Sequence, residues 1–243
     1  MHGEYSIQKI SFEVAQNGDN LRLVHKRFEF ATKQSFRSER KCTMTAELSP
    51  AKYFDCHQLD TSHVLYEGKI PKDLQFSHEQ FEDAWSLHPL ERPEIVIHGR
   101  RVRTPRWQQA YGRDYDYSGQ VNRALPIPAL LQPLTGWLKS VDPRLNGLLL
   151  NWYDGKLGHY IGKHRDSTSN LVPGSMIVTI SFGESRTFRL RPHNGTQICD
   201  FEANNGTIFV MPLSTNQAWT HEIPKSKRHT QRRISVTARA FRD

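Results

Sequence analysis

The sequence lacks any long hydrophobic run, and it contains only three cysteines among 243 residues. A membrane-spanning helix needs about 20 consecutive apolar residues, and no stretch approaches that length, so we expect no membrane segment. The opening residues also lack the basic and then apolar pattern of a secretory signal peptide. Cys42, Cys56 and Cys199 are scattered, without zinc spacing or a disulfide pattern. We therefore expect an intracellular protein of the nucleus or cytoplasm that is not secreted.

Internal repeats and low-complexity linkers are also absent, so nothing in the composition marks a second globular domain. Residues 1–60 are polar and mixed, and the alternating stretches at 8–14 and 22–30 could be strands of an extension. We predict an N-terminal extension of unknown role over residues 1–60 and one folded domain over residues 61–243. We expect this chain to be a monomer.

Acidic residues are in the minority: the sequence contains 25 Asp and Glu and 33 Lys and Arg, which gives a net charge of +8. Basic proteins bind polyanions, since Lys and Arg displace the counterions that surround phosphates. The charge favours a nucleic-acid partner, and a protein that merely has a basic surface is the alternative.

Two stretches have the pattern of amphipathic helices. The first begins at 77-SHEQFEDAW-85, where Ser77 and Gln80 form a capping box and Phe81 and Trp85 share one face. The second lies near 133-PLTGWLKSVD-142, with a proline tolerated in its first turn and apolar residues at helical spacing.

The pattern changes to short, often alternating strands from residue 147 onward. Turns such as 193-HNG-195 and 203-ANNG-206 separate these segments. Many short strands at regular spacing predict a sandwich or a barrel. The predicted strands cover residues 147–154, 175–182, 186–192, 196–202, 207–212 and 233–241.

A candidate metal site lies in 159-HYIGKHRDST-168, where His164 and Asp166 are separated by one residue. On a strand, residues i and i+2 point to the same face, so both side chains can converge on one ion. His221, in 218-AWTHEIP-224, is the candidate third ligand. Two histidines and a carboxylate form the facial triad of non-haem iron(II) oxygenases, and zinc accepts the same set. A surface ion pair beside an unrelated histidine is the alternative interpretation.

A second candidate site lies on the last strand, 233-RISVTAR-239, where Arg233 and Arg239 fall on the same face. Inward guanidinium groups are costly unless each meets an anion, and a dicarboxylate would satisfy both through planar paired hydrogen bonds. Asn151 and Tyr153 also share one face of a strand and could donate to the same ligand. An outward-facing arginine pair on an edge strand is the alternative.

The order N-x-Y, H-x-D, H and R-x5-R resembles the AlkB family of iron(II)- and 2-oxoglutarate-dependent dioxygenases, in particular its animal DNA-repair branch. The resemblance covers residues 95–241, and two upstream segments, 104-TPRWQQAYG-112 and 117-YSG-119, are similar to the family's nucleotide lid. The segments that carry it most continuously are 151-NWYDGKLGHYIGKHRD-166, 173-PGSMIVTISFG-183 and 185-SRTFRLR-191.

The resemblance implies an α+β fold, in which a double-stranded β-helix (jelly roll) over about 147–241 carries flanking helices and a lid over about 95–120. It also implies Fe(II), 2-oxoglutarate and O2 as cofactors, with iron held by His164, Asp166 and His221. The residues implied for 2-oxoglutarate are Asn151, Tyr153, Arg233, Thr237 and Arg239. The implied reaction is oxidative demethylation of N-alkylated bases in DNA or RNA, with release of formaldehyde and succinate.

The resemblance also implies substrate contacts in the lid and beside the metal site. Tyr117 is the candidate for stacking on a flipped base. His98 stands where the family's hairpin has an apolar wedge, which favours single strands over duplex DNA. No acidic residue follows Asp166, although the repair enzymes have acids there, so we expect weaker preference for cationic bases. The candidate substrate residues are His98, Arg106, Tyr115, Tyr117, Ser167 and Thr168; ordinary packing is the alternative for each tyrosine.

Three function classes remain open on the sequence. The first is the base demethylase described above. The second is a 2-oxoglutarate hydroxylase of the same fold that acts on a small molecule or a protein side chain. The third is a catalytically weak nucleic-acid binder, which the intact triad and paired arginines disfavour. The basic segments 98-HGRRVRTPRW-107 and 225-KSKRHTQRR-233 favour the first class over the second.

Overall fold

The computed structural model describes residues 54–96, 99–116 and 121–243 in full, and only the backbone of 14–17, 20–23, 97, 117 and 120. The chain divides into two compact units, Met1–Glu47 and Leu48–Asp243. In the first unit, β1 (Val14–Asn17) and β2 (Asn20–Leu23) form an antiparallel hairpin. The strands predicted at 8–14 and 22–30 otherwise lie outside the described residues.

Two antiparallel sheets form the second unit. The larger sheet has seven strands in the order β3-β4-β15-β12-β17-β10-β7, and the smaller has four in the order β11-β16-β13-β14. The larger sheet contains β3 (Asp55–Gln58), β4 (Val64–Lys69), β7 (Trp107–Tyr111), β10 (Gly147–Asp154), β12 (Met176–Gly183), β15 (Thr207–Pro212) and β17 (Arg232–Arg239). The smaller contains β11 (Ile161–His164), β13 (Arg186–Pro192), β14 (Cys199–Ala203) and β16 (Trp219–Ile223).

The remaining elements lie around these sheets. Two separate hairpins pair β5 (Glu94–Ile97) with β6 (Arg100–Arg103), and β8 (Tyr115–Tyr117) with β9 (Gln120–Asn122). The helices are α1 (His78–Ser86), α2 (Gln132–Val141) and α3 (Leu213–Ala218), with short 3-10 turns at Lys72–Leu74 and Ala129–Leu131. Among the residues described here, no helix has the length and apolar character needed to cross a bilayer.

Both faces of the larger sheet are buried, and the two faces pack against different partners. Its outer face, represented on β17 by Ile234, Val236 and Ala238, packs with residues of α1 and α2 in one core. Its inner face packs against the smaller sheet in a second core, where Phe209 of β15 stacks on Phe188 of β13 at 4.7 Å between ring centroids. The predicted jelly roll with flanking helices is therefore confirmed.

Both predicted helices form close to their predicted positions. Ser77 caps α1, because its hydroxyl accepts from the Gln80 amide while the Gln80 side chain accepts from the Ser77 amide. The indole Nε1 of Trp152 on β10 donates to the Ala84 carbonyl at 2.9 Å. This bond fixes α1 against β10 of the larger sheet.

The predicted boundary at residue 60 passes between two paired strands. β3 pairs with β4 in antiparallel register, from Asp55 opposite Glu67 to Gln58 opposite Val64. Residues 55–58 therefore belong to the larger sheet rather than to an extension. The sequence pattern missed this strand because its side chains are mostly exposed at a sheet edge.

Gly183, at the end of β12, provides a test of how tightly the sheet holds β17. Gly183 has φ +86, and a β-carbon there would lie 2.5 Å from the Arg232 carbonyl oxygen. Gly174 has a similar φ of +70, but its β-carbon would meet no described heavy atom within 4 Å. Both Gly→Ala variants should incur the backbone cost of roughly 1–3 kcal/mol, and Gly183→Ala should lose a further ~1–3 kcal/mol from the clash.

Urea unfolding of the two variants measures this difference directly. Equal losses of unfolding free energy in Gly183→Ala and Gly174→Ala would show that the Arg232 carbonyl gives way without cost.

Candidate active site

Three metal-ligand side chains meet at one edge of the smaller sheet. His164 ends β11 and lies directly opposite His221 on the neighbouring β16. The Asp166 Oδ1 atom is 3.7 Å from His164 Nε2 and 3.8 Å from His221 Nε2. All three candidate ligand atoms lie within 4.8 Å of one another. The structure thus brings together the three residues that the sequence pattern selected.

The local conformation of Asp166 differs from the prediction. β11 ends at His164, so Asp166 lies beyond the strand and its side chain does not converge with His164 through strand alternation. The pairing of β11 with β16 also shifts register between Ile161 and His164. The premise of a continuous strand through His-x-Asp is therefore wrong, because the strand ends at His164, two residues before the aspartate.

Asp166 is held in its ionised form by a buried guanidinium. Arg239 donates to Asp166 Oδ2 from Nη2 at 2.6 Å and from Nε at 3.1 Å. Burial alone would raise the pKa of Asp166, but Arg239 and the two imidazoles lower that pKa well below its usual range. Since Arg239 occupies Oδ2, the other oxygen, Oδ1, is left facing the two histidines.

The histidines present neutral nitrogens to that oxygen. Desolvation and the neighbouring His221 lower the pKa of His164 to about 3, and desolvation also lowers the pKa of His221. His164 Nδ1 donates to the Gly162 carbonyl at 2.8 Å, which leaves the Nε2 lone pair available.

This donor set fits a divalent metal ion. The separations of 3.7 and 3.8 Å exceed hydrogen-bond length, so the three groups converge without sharing a proton. Metal–nitrogen and metal–oxygen bonds are about 2.0–2.2 Å long, so one ion between the groups can reach all of them. Two imidazoles and one carboxylate leave open positions, as the iron(II) oxygenase triad requires.

A candidate anion site lies near the start of β17, at the opposite end of the strand from Arg239. Arg233 is 1% exposed, and its Nη2 donates to the Ser181 hydroxyl at 2.7 Å. Its Nε and Nη1 atoms are buried and have no hydrogen-bond partner among the described residues. The Tyr153 ring lies 5.0 Å from the guanidinium carbon, and burial lowers the pKa of Arg233. A buried guanidinium with two unused donors fits the carboxylate of a bound ligand.

The other residues implied for 2-oxoglutarate also face inward. Asn151 Oδ1 accepts from Arg106 Nε at 2.7 Å, which leaves the amide NH2 group to serve as donor elsewhere. Thr237 is buried, and its hydroxyl lies 3.5 Å from that of Thr179. Arg239 keeps one nitrogen, Nη1, buried without a hydrogen-bond partner in the part of the chain that the structure describes. The pocket therefore combines unused donors at both arginines.

Two of the predicted substrate residues lie beside the metal site rather than on the surface. Arg106 is 7% exposed, and its Nη2 donates to Gln108 Oε1 at 3.0 Å in addition to its bond with Asn151. The Tyr115 ring lies 4.3 Å from the Arg239 guanidinium, and its hydroxyl is 3.5 Å from Asp166 Oδ1.

The remaining predicted substrate residues are only partly described. Ser167 and Thr168 are half-buried just after Asp166, and the Ser167 hydroxyl lies 3.2 Å from that of Ser169. His98 and the Tyr117 side chain lie outside the described residues. Contact of any of these side chains with a base stays a prediction.

Two side chains that contact the candidate site residues were not predicted from the sequence. Ser181 partners Arg233, and it could have been found, because strand alternation places its hydroxyl on the inner face of the central strand β12. Asn216 pairs with the Asp166 backbone, and no local pattern in the sequence reveals that contact.

Comparison with known proteins agrees with this geometry. The 2OG-Fe(II) oxygenase superfamily profile matches residues 66–239. The human DNA oxidative demethylase ALKBH2 is 28% identical over 193 residues, which cover 74% of this chain and 73% of that protein. The rat alpha-ketoglutarate-dependent dioxygenase alkB homolog 3 is 27% identical over 147 residues, covering 56% and 50% respectively. The solved structure of OsALKBH1 shares the fold, with TM-score 0.50, 14% identity, and coverage of 77% of this chain and 100% of that chain.

The chain therefore belongs to the 2OG-Fe(II) oxygenase superfamily and is a 2-oxoglutarate-dependent dioxygenase. Within that superfamily it is an AlkB-like enzyme. Membership implies Fe(II), 2-oxoglutarate and O2 as cofactors, and the His164, Asp166 and His221 cluster can hold the metal.

Replacing Arg233 tests the cosubstrate pocket. Arg233→Ala should weaken 2-oxoglutarate binding by roughly 2–5 kcal/mol, because it removes one side of a buried charge pair. Arg233→Lys keeps the charge but loses the planar pair of donors, so it should show an intermediate loss. Calorimetry with Mn(II) in place of iron measures binding without turnover.

Nucleic-acid affinity serves as the control, and it should remain unchanged in both Arg233 variants. If Arg233→Ala binds 2-oxoglutarate as tightly as the wild type does, Arg233 does not bind the cosubstrate.

Proposed function

We propose that this enzyme oxidatively demethylates N-alkylated bases in DNA or RNA, with single strands favoured over duplexes. The observation that carries the proposal is a basic hairpin that precedes Arg106 in the chain. On β6, Arg100, Arg101 and Arg103 are all exposed, and Arg106, three residues further, reaches Asn151 inside the pocket. A strand of exposed guanidiniums leading into an oxidative site suits a substrate with a phosphate backbone.

The residues of this chain divide the work of the reaction. When bound, Fe(II) with 2-oxoglutarate and O2 supplies oxidation of a substrate C–H bond, and 2-oxoglutarate leaves as succinate and CO2. Arg233 anchors the far carboxylate of the cosubstrate, and the Asn151 amide donates to the same ligand. Arg239 keeps Asp166 ionised and oriented. Oxidation of an N-methyl group gives an N-hydroxymethyl group, which breaks its C–N bond to release formaldehyde and return a proton to the base nitrogen.

Similarity to named demethylases supports this substrate class. Human ALKBH2 is a DNA oxidative demethylase by name, and its similarity extends over 74% of this chain. The half-buried hydroxyls of Ser167 and Thr168 follow the metal carboxylate directly, where they can contact a base that enters the site.

A turnover assay with defined substrates tests the proposal. Single-stranded oligonucleotides carrying N1-methyladenine or N3-methylcytosine should yield stoichiometric formaldehyde and succinate, whereas Asp166→Ala should yield neither. Replacing Arg100, Arg101 and Arg103 together with Gln should raise the KM for oligonucleotides and flatten its dependence on salt, because fewer counterions are released.

A panel of small metabolites and peptides is assayed in parallel with the oligonucleotides. If a metabolite or peptide supports coupled succinate production and no alkylated oligonucleotide does, the proposal of base demethylation is wrong. The enzyme would then be a hydroxylase of that other substrate class.

The hydroxyls after Asp166 generate a prediction about base charge. Charged hydrogen bonds are worth roughly 1.5–3 kcal/mol against about 1 kcal/mol for neutral ones, so a carboxylate there should favour cationic bases by about tenfold. Thr168→Asp should therefore raise kcat/KM for N3-methylcytosine in single-stranded DNA about tenfold. Thr168→Asn is the matched control, because asparagine is similar in size to aspartate but uncharged. This variant should show little gain in kcat/KM.

If the unmodified enzyme already turns over N3-methylcytosine as fast as Thr168→Asp does, the hydroxyls do not set the preference for base charge.

A further inference from the structure

The metal carboxylate is held by a buried asparagine on a different segment. Asn216 lies on α3 and is 1% exposed. Its Nδ2 donates to the Asp166 carbonyl at 3.0 Å, and its Oδ1 accepts from the Asp166 amide at 2.9 Å. Both backbone polar groups of the metal ligand are therefore paired with one side chain.

This contact replaces the strand pairing that Asp166 lacks. β11 ends at His164, so no neighbouring strand pairs with the Asp166 backbone. Buried backbone amides and carbonyls are almost always hydrogen-bonded, because an unpaired group costs free energy. The carboxamide of asparagine carries an acceptor and a donor in one plane, so it can exchange both bonds as a residue of a paired strand does.

Asn216 also connects the two segments that carry the metal ligands. α3 leads directly into β16, which holds His221 five residues after Asn216. The Asp166 carboxylate is fixed by Arg239 at Oδ2, and its backbone is fixed by Asn216. With both ends of the residue held, Asp166 Oδ1 lies 3.8 Å from His221 Nε2.

We propose that Asn216 is a positioning residue that preorganises Asp166 for metal binding. The inference rests on the assignment of His164, Asp166 and His221 as metal ligands. It assigns to Asn216 an effect on metal affinity, in addition to the stability that any buried hydrogen bond contributes. Groups that orient metal ligands typically change metal affinity by 10–100-fold when they are removed.

Metal binding in the full chain tests the proposal without turnover. Mn(II) affinity is measured by calorimetry in the presence of 2-oxoglutarate, and urea unfolding of the metal-free protein measures stability. Asn216→Ala should weaken Mn(II) binding 10–100-fold. Asn216→Ser, whose hydroxyl can pair with one of the two backbone groups, should retain part of the affinity and serves if the alanine variant does not fold.

Thr215→Ala is the matched control on the same helix. Thr215 is buried, and its hydroxyl donates to the Val64 carbonyl at 2.9 Å, away from Asp166. This variant should lose stability but keep wild-type Mn(II) affinity. Equal Mn(II) affinity in wild type and Asn216→Ala, or an equal loss in Asn216→Ala and Thr215→Ala, would reduce Asn216 to a structural role.

Asp166→Ala separates failure of this inference from failure of the metal site itself. It should abolish Mn(II) binding. If Asp166→Ala bound Mn(II) like the wild type, the ligand assignment would be wrong, and the role of Asn216 would be overturned with it.

Discussion

The buried ion pair between Arg239 and Asp166 is the interaction on which the site depends. An isolated carboxylate at this depth would be neutralised by protonation, because burial raises its pKa. Arg239 reverses that shift and binds only Oδ2, so the charged Oδ1 faces the imidazoles and lies 3.5 Å from the Tyr115 hydroxyl. The pair also joins the two sheets, since Arg239 ends β17 of the larger sheet while Asp166 follows β11 of the smaller one. The ion pair therefore fixes the candidate metal residues on the smaller sheet relative to the candidate cosubstrate residues on the larger sheet.

Strand β17 can carry two buried arginines because its other face anchors it so firmly. Ile234, Val236 and Ala238 pack into the core beneath the helices, and the strand pairs along its length with β10 and β12. Apolar burial on one face thus offsets the cost of desolvating guanidiniums on the other. Arg239 is paired with Asp166 within the protein, whereas the Nε and Nη1 atoms of Arg233 have no hydrogen-bond partner among the described residues. The guanidinium beside the candidate metal site is therefore paired within the protein, whereas the guanidinium of Arg233 can still bind an anion.

The sequence predicts the parts of this arrangement that follow from strand alternation. The inward side chains of β17 and the pair Asn151 and Tyr153 need only a period of two, and those faces are confirmed. Asp166 does not follow that rule, because β11 ends at His164. Its support by Asn216 depends on two segments separated by 50 residues, so no local pattern encodes it. The edge strand β3 was missed because exposed edges carry little hydrophobic signal.

Arg106 shows how the lid and the cosubstrate pocket share one residue. A lid position suggests a guanidinium that reaches outward to a substrate, yet the folded chain directs two of its nitrogens to Asn151 and Gln108. Because the arginine can only donate, Asn151 must turn its oxygen toward it, which directs the amide NH2 group elsewhere. A reversed amide would place two donors against each other. The chain segment that follows the basic hairpin therefore determines which side of the Asn151 amide remains available as a donor.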